Sequence, residues 1–193
     1  SRITDLSLIF IGIALGDYDF NHYKSKKYNN SVKIFLPKSY SKIITEIEAI
    51  YIVRDMISTP AEDMGPEDIS NIVKTIANEF DANVSEIVGE ELARQGYMGI
   101  YSVGKGSYRD SRLVNLTWGD TNNPLVSIVG KGVVFDTGGL DVKPASGMKL
   151  MHKDMGGAAN AIGLAYIIMK HNLPVSLSLS IPTVENSIDA HSF

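Results

Sequence analysis

Two hydrophobic rhythms run along the chain. Leu6–Leu15, LSLIFIGIAL, is apolar on most helical faces and predicts a buried helix over residues 3–16. Gly16–Ser31 is polar and aromatic, with Asn29-Asn30 as a turn signal. Val32–Leu36 alternates as a strand does, and Pro37 ends it. Ile43, Ile44, Ile47, Ile50 and Tyr51 recur at helical spacing, so a long helix runs to about Ile57, with Ser39 or Ser41 as its cap. Ser58–Asp68 reads as a loop, stopped by Pro60. Pro66 opens a helix to about Phe80 with Ile69, Ile72, Val73 and Ile76 on one face.

The second half changes rhythm repeatedly. Asn83–Val88 reads as a strand and Gly89–Gly96 as a short helix stopped by glycine. Arg112–Trp118 and Pro124–Gly130 are apolar and β-branched, as strands covered on both faces are. Gly147–His171 is helical in pattern and carries a small-residue stretch, GGAANA. Pro174–Pro182 alternates strictly and makes a last strand. Helices alternating with strands predict an α/β layered domain, its sheet largely parallel or mixed and flanked by helices.

Composition narrows the function classes. The 193 residues suit one domain, or one domain and a small fragment, and can bury a core without staples. Cysteine is absent, which excludes disulfides and thiolate metal sites. A formal charge of −4 argues against a nucleic-acid partner. Lys24, Lys26 and Lys27 form the only basic cluster and read as a solvated surface. Leu6–Leu15 is half the length a bilayer needs and is followed by GDYDF rather than a small-residue cleavage site, so neither a membrane anchor nor a signal peptide is expected.

Chemistry gathers in one stretch. Lys131, Asp136, Lys143, His152, Lys153 and Asp154 lie among glycines near the end of a predicted strand, where open α/β sheets bind ligands. A Walker phosphate loop does not fit, because Gly132 rather than Ser or Thr follows Lys131 and the spacing is wrong. A dinucleotide fingerprint on Gly130 and Gly132 needs glycine where Phe135 stands. Asp136 and Asp154 are hard oxygen ligands, and a neutral lysine amine also binds a metal. The same residues equally describe lysine–aspartate salt bridges on surface loops. The earlier Val103-Gly104-Lys105-Gly106 lacks a following Asp-Thr-Gly-Gly and reads as a loop.

The stretch Val129–Gly163, VGKGVVFDTGGLDVKPASGMKLMHKDMGGAANAIG, resembles the signature of the leucyl (cytosol) aminopeptidases, two-metal exopeptidases. Arg54–Ile69, Val103–Trp118 and Ala14–Lys27 resemble that family's lead-in to its catalytic domain. The resemblance implies metal ligation by Lys131, Asp136 and Asp154, with Asp136 bridging two ions. It implies that Lys143 polarises the scissile carbonyl, and that Met151 lines the pocket for the substrate's first side chain. Thr137 stands where serine is commonest, and His152 and Lys153 occupy variable positions. The implied cofactors are two divalent ions, zinc or manganese foremost, with bicarbonate as general base. The implied role is cytoplasmic peptide catabolism on peptide N-termini by a homohexamer.

The resemblance also sets limits. Residues 1–57 correspond to the end of an N-terminal region and a connecting helix, and residues 58–193 to the N-terminal part of the catalytic domain. The chain contains no Asn-Thr-Asp-Ala-Glu-Gly-Arg, the family motif that completes the metal shell and holds bicarbonate through its arginine. The chain therefore reads as truncated at both ends relative to the family, with a sheet edge and an apolar face left open. Two carboxylates and one amine do not balance two divalent ions, and Glu185 is the one stand-in. The expectation is that this polypeptide alone neither holds both metals nor hydrolyses peptides well. A truncated, non-catalytic remnant with a structural or partner-binding role is the alternative.

Overall fold

The computed structural model describes residues 6–25 and 35–190, so the predicted strand start at Val32, the Asn29-Asn30 turn, and Lys26 and Lys27 lie outside the described residues. Among the described residues five strands form one mixed sheet: β1 (Asn83–Val88), β2 (Arg112–Trp118), β3 (Leu125–Val129), β4 (Gly132–Asp136) and β5 (Ser176–Asn186). β1 and β2 are antiparallel, as are β2 and β5, while β3 and β4 both run parallel to β5 along its other side. The helices are α1 (Ser7–Asp17), α2 (Ile43–Ser58), α3 (Pro66–Glu79), α4 (Glu90–Arg94), α5 (Met98–Gly104), α6 (Ala145–Met148) and α7 (Gly156–Lys170).

β5 is the central strand, and its alternation sorts the two faces. Leu177, Leu179 and Ile181 are buried in the main core with Ile69 and Val73 of α3 and Ala158, Ile162 and Ala165 of α7. Ser176, Ser178 and Ser180 fall on the opposite, half-buried face. β3 pairs on one side only and exposes Leu125 and Val129. The expectation of strands covered on both faces is corrected for β3 alone: in β2 the adjacent Leu113 and Val114 are both buried, and Val184 of β5 lies against Gly104 of α5 on the second face.

The small-residue stretch explains how closely α7 packs. A Cβ on Gly163 would lie 2.7 Å from Val53 Cγ2 and 3.3 Å from Ala49 O, so α2 and α7 cross almost backbone to backbone. α3 begins as predicted, with Pro66 in its first turn and the Asp68 carboxylate accepting from Gly65 N at 2.8 Å. Two expectations are corrected. α2 has Lys42 at its cap position and no side-chain cap, so neither Ser39 nor Ser41 serves. α1 buries no residue, and Leu8 is 80% exposed. Its last turn is instead tied to α2, where Tyr51 Oη donates to Ala14 O and Arg54 Nη1 to Leu15 O at 2.8 Å.

A polar cluster joins α3 to the sheet. Glu86 accepts from Lys74 Nζ at 2.7 Å, Ser70 Oγ at 2.7 Å and Arg112 Nη1 at 3.2 Å. Burial alone raises the Glu86 pKa, but these donors outweigh it and hold the carboxyl below its ordinary 4.5. A depressed folded pKa gives stability that is complete above the unfolded value and lost as pH falls through the folded one. Glu86→Gln should therefore cost about 1–2 kcal/mol at pH 7, and the gap to wild type in thermal melts should close as pH drops toward 3. A gap that stays constant over that range contradicts this account.

Candidate active site

β3 and β4 form one line along β5, interrupted at Gly130 and Lys131. Val129 pairs with Ser180 and Gly132 with Thr183, so the interruption falls opposite Ile181 and Pro182. Pro182, which donates no ladder bond, is thereby tolerated inside a central strand. The start of α7 presses into the gap, where Ala158 N, one of the helix's unpaired first amides, donates to Lys131 O at 2.8 Å. No side chain fits there: a Cβ on Gly130 would lie 2.7 Å from Ala158 Cα, and one on Gly157 would lie 3.1 Å from Lys131 N. The Lys131 side chain is 62% exposed, and its Nζ reaches Asp154 Oδ2 at 2.9 Å. Asp154 sits in a 3-10 turn, Met151–Met155, that leads into α7.

The other carboxylate ends β4. Asp136 begins a tight turn in which Gly138 and Gly139 have φ of 92° and 70°. A Cβ on Gly138 would lie 2.3 Å from Asp141 O, so glycine is required at that position. Lys143 N donates to Thr137 O at 2.9 Å and closes the loop, which brings Lys143 Nζ within 2.8 Å of Asp136 Oδ2. Asp136 Oδ1 accepts from Gly138 N at 3.0 Å and Asn186 Nδ2 at 2.6 Å. Burial opposes the charge on Asp136, but Lys143, the Gly138 amide and Asn186 outweigh it and hold its pKa below the ordinary value. The hydrogen bond to Asp136 raises the Lys143 pKa against desolvation, and the charge on Asp154 adds to the effect.

Lys131, Asp136, Lys143 and Asp154 thus stand together as two lysine–aspartate pairs. Asp154 Oδ2 is buried, and its partner is the Lys131 ammonium at 2.9 Å. A buried carboxylate oxygen, a lysine amine and a second carboxylate are donors of the kind a divalent cation takes, with two negative charges between them. Among the described residues no group of three or more His, Cys, Asp or Glu side chains is placed to hold a metal ion. Glu185 is no stand-in, because it accepts from Ser107 and lies 3.7 Å from Arg109 Nη1.

Met151 is half-buried at the start of the 3-10 turn, and Met155, at the end of that turn, is fully buried. His152 is half-buried and Lys153 exposed. The predicted helix over Gly147–His171 is three pieces, α6, the 3-10 turn and α7. Val103 and Gly104 end α5, where buried Gly104 packs against Ser111 and Val184, and from Lys105 the chain is the expected loop leading to β2. Sequence reasoning missed Asn186. The alternation of β5, continued past Pro182, separates it from Glu185 and was the available signal. A concavity of about 540 Å³ between α2 and α3 is lined by Tyr51, Met56, Ile76 and Tyr166 and shares no residue with the lysine–aspartate cluster. No helix among the described residues is long and apolar enough to cross a membrane.

Residues 51–193 match the catalytic domain of the cytosol aminopeptidase family. A probable cytosol aminopeptidase of Rhodococcus jostii is 34% identical over 202 residues, which cover 95% of this chain and 40% of that protein. The crystal structure of the cytosol aminopeptidase from Coxiella burnetii superposes with a TM-score of 0.92 at 46% identity, covering 97% of this chain and 41% of that one. The bottromycin maturation enzyme BotP, solved in complex with Mn, superposes with a TM-score of 0.83 at 30% identity, covering 93% of this chain and 39% of that one. The chain spans about 40% of the length of the curated relatives it matches.

Proposed function

The chain belongs to the cytosol aminopeptidase family, and on that premise we propose that it supplies one part of the cation site of a metal-dependent aminopeptidase acting in the cytoplasm. The observation that supports this most is the meeting of Lys131, Asp136, Lys143 and Asp154 at the end of β4 and the start of α7. When bound, divalent cations such as manganese or zinc would supply Lewis acidity toward a peptide carbonyl and lower the pKa of a water. Asp136 and Asp154 contribute the negative charge that holds a cation, and Lys131 contributes its amine after losing a proton. Lys143 keeps its ammonium on the same side of the sheet, where it offsets the charge that develops on a carbonyl oxygen. Met151, at the mouth of the 3-10 turn, lines the place of a leucine-like N-terminal side chain. A second cation draws on carboxylates outside this stretch.

The test has two arms. The native protein, purified from its source, is expected to have the mass of a chain of roughly 500 residues, since 202 aligned residues make up 40% of a relative. It is expected to release p-nitroaniline from leucine p-nitroanilide with manganese. The 193-residue polypeptide alone is expected to show no turnover above background. A native protein of that size that is inactive with manganese and zinc on N-terminal amino-acid anilides overturns the aminopeptidase reading. Robust turnover by the short polypeptide overturns the ligand arithmetic.

A further inference from the structure

Asn186 touches the turn after β4 three times. Its side-chain Nδ2 donates to Asp136 Oδ1 at 2.6 Å, while its backbone O accepts from Thr137 N at 3.0 Å and from Thr137 Oγ1 at 2.8 Å. The ladder explains why these residues meet. Val133 pairs with Val184, and a regular register would place Phe135 beside Asn186; instead Asp136 pairs with Asn186, after a shift of one residue. A one-residue bulge of this kind re-aims a side chain at the end of a strand. Here it turns the Asp136 carboxylate toward the Asn186 amide.

We propose that Asn186 is the positioning residue for Asp136, holding Oδ1 against β5 so that Oδ2 is the oxygen presented to a divalent cation. Oδ1 already receives the Gly138 amide at 3.0 Å as well as Asn186, so both of its lone pairs are used. Oδ2 carries only Lys143 at 2.8 Å. Residue 139 leaves this amide its place: a Cβ on Gly139 would lie 3.2 Å from Asn186 Oδ1 and crowd it. Ligating carboxylates need hydrogen-bond partners of their own, and loss of such a partner costs about 10–100-fold in metal affinity. The assignment rests on the proposed function only where it makes Oδ2 a cation ligand.

Two measurements on the 193-residue chain test it. Without metal, the Asn186 side-chain amide in a 15N-labelled sample should exchange slowly with solvent, and Asp136→Ala should abolish that protection. In a manganese titration, Asn186→Leu removes the donor at similar size and Asn186→Asp sets a carboxylate against Asp136. Both should weaken manganese uptake about 10–100-fold while the melting temperature moves by only about 2–4 °C. Thr137→Ser, which keeps the hydroxyl that donates to Asn186 O and accepts from Gly139 N, should keep the wild-type affinity. A fast-exchanging Asn186 amide that ignores Asp136 overturns the proposal, and so does wild-type manganese affinity in Asn186→Leu. If the wild-type chain takes up no manganese, the proposed function falls, and the amide measurement alone decides the positioning claim.

Discussion

Gly130→Val is expected to lower the melting temperature by about 6–12 °C, equivalent to about 3 kcal/mol for a domain of this size. Gly130 lies in the gap between β3 and β4, where α7 comes in backbone to backbone. A Cβ there would stand 2.7 Å from Ala158 Cα, 2.7 Å from Ala161 Cβ and 2.8 Å from Gly157 O. Two of those three atoms are backbone, so no side-chain rotamer relieves the clash. The helix must move, and the Ala158 N to Lys131 O bond goes with it. Because Asp154 sits just before α7, the same movement separates it from Lys131. The variant should thus lose both stability and manganese uptake, whereas Gly99→Ala, at a helical glycine with open space around it, should leave both unchanged. Thermal melting followed by manganese titration reads both effects, and a wild-type melting temperature in Gly130→Val contradicts the packing account.

Asp136→Asn should act the other way round, with a large loss of function and little loss of fold. Asparagine keeps the shape, and its carbonyl oxygen still accepts from Gly138 N and Asn186 Nδ2. What disappears is one of the two negative charges in the cluster, and Lys143 loses its carboxylate partner. Cation uptake should fall by at least about 100-fold, since a ligand counts for more than the groups that merely orient it. Leucine p-nitroanilide turnover by the native protein should fall by at least the same factor. The pair Asp136→Asn and Lys143→Ala separates the roles: the second should leave manganese uptake near wild type and reduce turnover alone. Equal loss of uptake in both variants contradicts the division of labour between them.

The parts of the fold that were legible in sequence are those where one periodicity runs long enough to be counted. α3 shows it through Ile69, Val73 and Ile76, and β5 through Leu177, Leu179 and Ile181, all of them buried. α1 was misjudged because a uniformly apolar helix does not say what covers it, and its residues stay exposed or half-buried. β4 was missed because Gly130-Lys131-Gly132 reads as a turn, whereas Gly130 serves the approach of α7 and Gly132 lies close against β5, where the strand resumes at once. α5 is too short, and too mixed in composition, to show a period.

The candidate site was legible in part because its motif is continuous in sequence. Lys131, Asp136, Lys143 and Asp154 were singled out from one stretch, and the structure brings them together as two ion pairs. Asn186 comes from a different strand, fifty residues after Asp136. Its place depends on a bulge in the ladder, which no local pattern announces. Glu185, its neighbour, was considered for its charge, and strand alternation sends it to Ser107 and Arg109 on the other face.

The central claim is that this stretch forms a divalent-cation site from Lys131, Asp136 and Asp154. Electron paramagnetic resonance counting of free manganese, titrated into the 193-residue chain, tests it most directly. The account predicts one saturable site per chain, lost in both Asp136→Asn and Asp154→Asn. Manganese that stays free in the wild-type titration, or uptake equal in all three proteins, would contradict it.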